Sequence, residues 1–278
     1  MVEITSPANP RVKATVRLRQ RRHRDKQQRI VIDGAREIRR ALDAGVRPVE
    51  AFACDVILTE SAREVVDRLK QAGVELHDAT PAVFDKLTFG DRAEGVVLVA
   101  EMPQPKLADI RLGDAPLVAV LEGVEKPGNA GAVIRSGDAA GLDAVILADS
   151  SQTPSGDESA DAPRPAPDLY NPNTIRASLG TVFSLPVAAA PTDEVLGWLG
   201  AMGGQIVAAR VDGSLPYDAV DFRRPTAIVL GSEAHGLSEA WHAAGIAAIR
   251  LPMRGVADSL NVSATAAVLF YEALRQRG

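Results

Sequence analysis

Aromatic side chains make up only 4 % of this 278-residue chain, and cysteine occurs once, as Cys54. The core must therefore be built from Ala, Val, Leu and Ile. A single thiol excludes an internal disulfide and a cysteine-rich zinc site, and it suits a reducing compartment. No apolar run approaches the roughly 20 residues that span a bilayer. Residues 1–6 also lack the basic-then-apolar pattern of a secretory signal. The expectation is a cytoplasmic protein with no membrane partner. Neither a GxxxxGK[ST] loop nor a GxGxxG turn is present, so phosphate binding by those two routes is unsupported, and no GxSxG elbow offers a serine nucleophile. His23, His77, His235 and His242 do not stand at metal-ligand spacing with acids or with Cys54, and no metal is expected.

What is present is an ordinary globular composition, 46 % hydrophobic and 24 % charged, with an unevenly spread charge. The net charge of -5 is the sum of +8 over residues 1–40 and -13 over the remainder. Arg17, Arg21, Arg22 and Arg24 stand at the centre of the basic stretch. Two readings fit it: an arm for a polyanion, or the solvated face of a helix. The second needs acids to pair with, and residues 1–40 hold only Glu3, Asp25, Asp33 and Glu37.

Residues 1–103 alternate strand patterns (29–34, 49–54, 74–77, 95–100) with helical ones (35–44, 60–71, 81–87), which predicts a small α/β domain. Pro103, Pro105 and the lack of an apolar period make the stretch after Met102 a linker, placed at 104–115. From 116 to 278 the rhythm restarts. Strands are expected at 117–121, 144–148, 184–188, 205–211, 226–230 and 248–251, with helices at 129–140 and 259–275. The near-continuous apolar run 117–121 is what a parallel sheet covered on both faces requires. Residues 151–169 contain almost no large apolar side chain and read as a mobile insertion.

Three segments place glycine and polar residues after a strand, at the edge where open α/β sheets bind ligands. The first runs from Glu125 to Arg135. Asn129 there is a candidate helix cap, and Arg135 is either a surface arginine or a functional one. The second, Ile228 to Ser238, carries Glu233 between two glycines; a tight turn with Ser238 as helix cap is its plainer reading, with His235 incidental. In the third, Arg250 to Ser263, capping explains Ser259 well and Asn261 poorly.

Together the three resemble the sequence motifs of the SpoU/TrmH branch of the SPOUT methyltransferases. Asn129-x-Gly-x-x-x-Arg135 fits the first motif, Leu230-Gly-Ser-Glu-Ala-His-Gly-Leu-Ser238 the second, and Leu251-Pro-Met-x-Gly-x-x-x-Ser-Leu-Asn-Val-Ser263 the third. Ser232 stands where many members have asparagine. Tyr170 to Gly180, with Arg176, is similar to the family's segment between motifs one and two. Residues 1–103, with Ser6-Pro-Ala-Asn-Pro-Arg-Val-Lys13, resemble its ribosomal-protein-like RNA-binding domain. The resemblance implies transfer of methyl from S-adenosyl-L-methionine to a ribose 2′-hydroxyl, with 23S rRNA ahead of tRNA. A non-catalytic RNA-binding assembly factor of the same fold is the reading from another class. It further implies a C-terminal parallel sheet with helices on both faces and a deep trefoil knot, in a homodimer formed through residues 116–278. Arg135, Asn129, Glu233, Ser259 and Asn261 become the candidate reaction residues. Leu230, Gly231, Leu251, Met253 and Leu260 become cofactor-binding residues. Arg17, Arg21, Arg22, Arg24 and Arg176 become RNA-binding residues.

Overall fold

The computed structural model describes residues 2–89, 94–149, 168–232 and 235–278; Glu233 and all but the last two residues of the 151–169 insertion lie outside them. The chain forms two compact units, Met1–Gln104 with Tyr170–Ser184, and Pro105–Leu169 with Leu185–Gly278.

In the first unit β1 (Val2–Ile4), α1 (Pro10–Arg17) and α2 (Arg21–Gln27) precede β2 (Arg29–Asp33), α3 (Ala35–Asp43) and β3 (Pro48–Ala53). Then come α4 (Glu60–Gln71), β4 (Glu75–Ala79), α5 (Pro81–Leu87) and β5 (Val96–Glu101). The five strands form a mixed sheet in the order β1-β4-β3-β5-β2, with β5 antiparallel to both its neighbours. The helices follow from local chemistry. In α4 the Thr59 hydroxyl accepts from the Ala62 N–H at 3.3 Å, and Ala62, Val65, Val66 and Leu69 point inward at helical spacing. One face of the sheet buries Val31, Phe52, Val97 and Val99 with Val12, Leu18, Val83 and Phe84; Cys54 is buried there as a free thiol.

The second unit holds β6 (Leu117–Glu122), α6 (Pro127–Ala139) and β7 (Ala144–Asp149). After α7 (Pro172–Ala177), which belongs to the first unit, it continues with β8 (Val187–Pro191), α8 (Thr192–Met202), β9 (Gln205–Ala209) and β10 (Leu215–Pro216). It closes with β11 (Thr226–Leu230), β12 (Ile246–Arg250) and α9 (Val262–Arg277). The sheet order is β10-β12-β9-β11-β6-β7-β8, and every pairing is parallel. Alanine and valine fill it: Val118, Val120, Ala144, Ala148, Ala188, Ala208 and Val229 make one core with Leu199 and Trp241. On α6 and α9, which pack together, Val133, Ile134, Leu269 and Phe270 are buried.

Two stretches differ from the expected organisation. The 104–115 stretch is not a free connection, because Leu107, Ile110 and Leu112 pack against the core of the second unit. Residues 170–184 fold with the first unit instead of with 116–278. Tyr170 stacks on Phe183 with ring centroids 6.0 Å apart, Ile175 is buried, and Arg40 donates to the Leu179 carbonyl at 2.6 Å.

Candidate active site

The C-terminal ends of three neighbouring strands share a floor. Leu230 ends β11 in register with Ala209 of β9, which pairs in turn with Ile249 of β12. All three line a cavity of about 720 Å³. Its walls come from the loops that follow those strands: residues 210–212, then 231, 232 and 235–237, then 250–253 and 258–260. All five expected cofactor residues, Leu230, Gly231, Leu251, Met253 and Leu260, line it, and so does Ser259.

The loop after β11 explains its glycine. Ser232 and Gly236 exchange backbone hydrogen bonds at 3.1 and 3.0 Å, and the Ser232 hydroxyl accepts from the His235 N–H at 2.9 Å. A Cβ on Gly231 would lie 2.5 Å from the Gly236 carbonyl carbon, so the turn closes only on a bare backbone. His235 lines the cavity. Ser238 does not cap the short turn Glu239–His242 with its side chain; it bonds to Glu122. A charged rim completes the cavity. Arg210 pairs with Asp212 at 2.6 Å, and the bond from the guanidinium holds the Asp212 carboxyl below its usual range. His242 and Asp258 stand nearby in the lining.

Of the other expected reaction residues, Asn129 and Asn261 meet where α6 and α9 begin. Asn261, not Ser259, caps α9: its Oδ1 accepts from the Ser263 N–H at 2.9 Å and from the Ser263 hydroxyl at 2.6 Å. The Asn261 Nδ2 donates to Asn129 Oδ1 at 3.4 Å. Asn129 itself is not a cap, because α6 starts two residues earlier, at Pro127. Arg135 is exposed on α6 with no hydrogen bond or ion pair to a described residue. Sequence reasoning missed Glu122, a buried carboxylate ending β6. Its only signal was an acid closing the apolar run 117–121.

The basic stretch divides by task. Arg17, Arg21 and Arg22 are exposed, with Arg21 3.5 Å from Asp25. Arg24 is 1 % exposed and donates to the Leu18 and Arg19 carbonyls at 2.9 and 2.8 Å, covering the end of α1. It is therefore corrected from an RNA contact to a structural group. Arg19 likewise binds three carbonyls, of Lys86, Leu87 and Thr88, where α5 ends. Arg176 is engaged within the first unit: it bonds to the Phe89 carbonyl and lies 3.8 Å from Asp33. His77, for which spacing showed no partner, meets Glu50 at 3.2 Å and Glu75 at 3.7 Å. Arg11 bridges both carboxylates at 2.9 and 3.0 Å, so that cluster carries its own cation.

Residues 116–271 match the SpoU rRNA Methylase family, and residues 9–98 match an MRM3-like substrate binding domain. The 23S rRNA (guanosine(2553)-2′-O)-methyltransferase RlmP of Bacillus subtilis is 28 % identical over 98 % of both chains. A crystal structure of an RNA 2′-O ribose methyltransferase is 42 % identical with a TM-score of 0.84, covering 99 % of each chain. The SpoU methyltransferase AviRb of Streptomyces viridochromogenes, solved with AdoMet, is 30 % identical with a TM-score of 0.83 over 97 % of this chain and 98 % of that one.

Proposed function

The chain belongs to the SpoU rRNA methylase family, and from that premise we propose that it transfers the methyl group of S-adenosylmethionine to a ribose 2′-hydroxyl of 23S rRNA. The observation that carries the proposal is the convergence of the motif loops. Two of them wall one cavity on the ends of β9, β11 and β12, and the third motif's Asn261 reaches the first motif's Asn129.

The cavity fits the cofactor by its chemistry. Its floor of Ala209, Leu230 and Ile249 suits an adenine ring, the backbone around Gly231 and Leu251 offers hydrogen bonds, and the charged rim suits an amino-acid tail. S-adenosylmethionine, when bound, supplies an electrophilic methyl carried on a sulfonium. A ribose hydroxyl is a weak nucleophile and must be aligned and relieved of its proton or charge. The guanidinium of Arg135 is too basic to accept that proton. Its role is to hold charge, on the oxygen as it develops or on the neighbouring phosphate. Asn129 and Asn261 orient the ribose, with Ser259 and Glu233 completing the set. Arg17, Arg21 and Arg22 track the RNA backbone.

A homodimer formed through the second unit is part of the same reading, supported by the exposed apolar side chains Val268, Tyr271 and Leu274 on α9. A deep trefoil knot is the further implication of family membership. It would be an exception to the rule against threaded chains.

The test is transfer of labelled methyl to unmodified 23S rRNA, 16S rRNA and tRNA in parallel, with nuclease mapping of the labelled ribose. Label in 23S rRNA at a 2′-oxygen is expected. Label confined to tRNA would replace the substrate. No label in any RNA, assembled subunits included, would return the protein to the class of assembly factors.

A further inference from the structure

Glu122 has no exposed surface, and three donors converge on it. The Ser238 N–H reaches one carboxylate oxygen at 2.7 Å; the Ser238 and Thr192 hydroxyls reach the other at 2.9 and 3.0 Å. No cation pairs with it among the described residues. Burying a carboxylate without a cation is costly, and an apolar side chain would fill the same space at the end of β6 without that cost. The carboxylate is explained if its hydrogen bonds do something that packing cannot.

Those bonds join three loops at the C-terminal edge of the parallel sheet. Glu122 ends β6, Thr192 opens α8 just after β8, and Ser238 closes the turn that begins at Gly231 after β11. Ala148 of β7 is in register with Glu122 on one side and with Ala190 of β8 on the other. The turn from Gly231 to Ser238 is held at its start by the β11 ladder and in its middle by the Ser232–Gly236 bridge. Its far end is held by Glu122. Gly231, Ser232, Gly236 and Leu237, all between those anchors, line the cavity.

We propose that Glu122 is a positioning residue for the cofactor site, holding Ser238, and through it Gly236 and Leu237, in the place that receives S-adenosylmethionine. The proposal rests on the functional reading above. A charged acceptor suits the task because the Ser238 N–H can only donate, and its bond to a carboxylate is stronger than one to a neutral oxygen.

The experiment measures S-adenosylmethionine affinity by calorimetry and thermal midpoint by circular dichroism on the full chain. The variants are Glu122→Leu, Glu122→Gln, Ser238→Ala and the control Asp143→Ala. Asp143 accepts from the Leu117 N–H at 2.7 Å and so secures β6 at its opposite end, away from the cavity. Glu122→Leu is expected to weaken binding about tenfold or more, the order of a lost charged hydrogen bond. Ser238→Ala should weaken it by a smaller factor. Glu122→Gln, whose carbonyl oxygen can still take the Ser238 N–H, should recover part of the affinity. Asp143→Ala should lower the midpoint at wild-type affinity. Wild-type affinity in both Glu122→Leu and Ser238→Ala overturns the proposal, and if Glu122→Leu does not fold, Ser238→Ala against Asp143→Ala decides it. A wild-type protein that binds no S-adenosylmethionine would instead sink the functional reading itself.

Discussion

Arg135 and Arg24 are both arginines on helices, yet their surroundings give them opposite tasks. Arg24 spends its donors on two backbone carbonyls, while Arg135 faces solvent with no described partner. Arg135→Ala should therefore leave the fold and S-adenosylmethionine binding intact and slow methyl transfer by about 10²–10³-fold, the usual loss when a charge-stabilising group is removed. Single-turnover kinetics checks this, and near-wild-type turnover would take Arg135 out of the mechanism. Asp33 shows what burial does to an acid. Loss of solvent pushes its carboxyl up to about 6, against the opposing pull of the Phe89 N–H and the Arg176 guanidinium. Between about pH 4 and 6 the folded chain keeps a proton that the unfolded chain releases, so this contribution to stability is present in acid and lost as pH rises through 6. On urea unfolding, wild type should gain about 2 kcal/mol relative to Asp33→Asn when pH falls from 7 to 4.5. A gap independent of pH would show that Asp33 titrates normally.

At the scale of the element, the start of α9 joins stability to chemistry in one side chain. Asn261 caps the helix with its oxygen and reaches Asn129 with its nitrogen. Asn261→Ala loses both and should cost about 1 kcal/mol of stability. Asn261→Asp keeps an oxygen for the cap and loses only the donor. Its thermal midpoint should return towards wild type while methyl transfer stays low; recovered transfer would mean that the Asn129 contact is dispensable. Most elements were legible because their apolar period is local. Helices α4 and α5 and strand β11 begin and end where the sequence pattern places them. The three-residue β1 and the six-residue α7 were not legible. Neither is long enough to show a period, and both are set by partners far along the chain, β4 for the first and β2 for the second.

For the whole molecule, the decisive quantity is how much of the basic stretch is left for RNA. Four of its arginines are used internally: Arg11 on two carboxylates, and Arg19, Arg24 and Arg40 on carbonyls. Replacing Arg17, Arg21 and Arg22 together with glutamine should lower the slope of log affinity against log salt by about 2–3, since each phosphate contact contributes roughly 0.7–0.9. An unchanged slope would mean that the exposed face of α1 and α2 does not touch RNA.

The longer strands and helices, the parallel character of the second sheet and the three motif segments were readable in the amino-acid sequence alone. Each depends on spacing within a dozen residues: a continuous apolar run for a buried strand, glycine where a backbone must turn back on itself. Folding settled which of those polar residues meet. Asn129 and Asn261 are 132 positions apart and join only because α6 and α9 pack together. Glu122 and Ser238 are 116 apart and meet across the edge of a parallel sheet. Arginines alike in sequence became a helix cover, a carboxylate bridge or an exposed cation according to the carbonyls and acids that packing brought beside them. Charge and hydrogen-bonding capacity belong to the residue, but the partner that uses them is chosen by contacts no local pattern encodes.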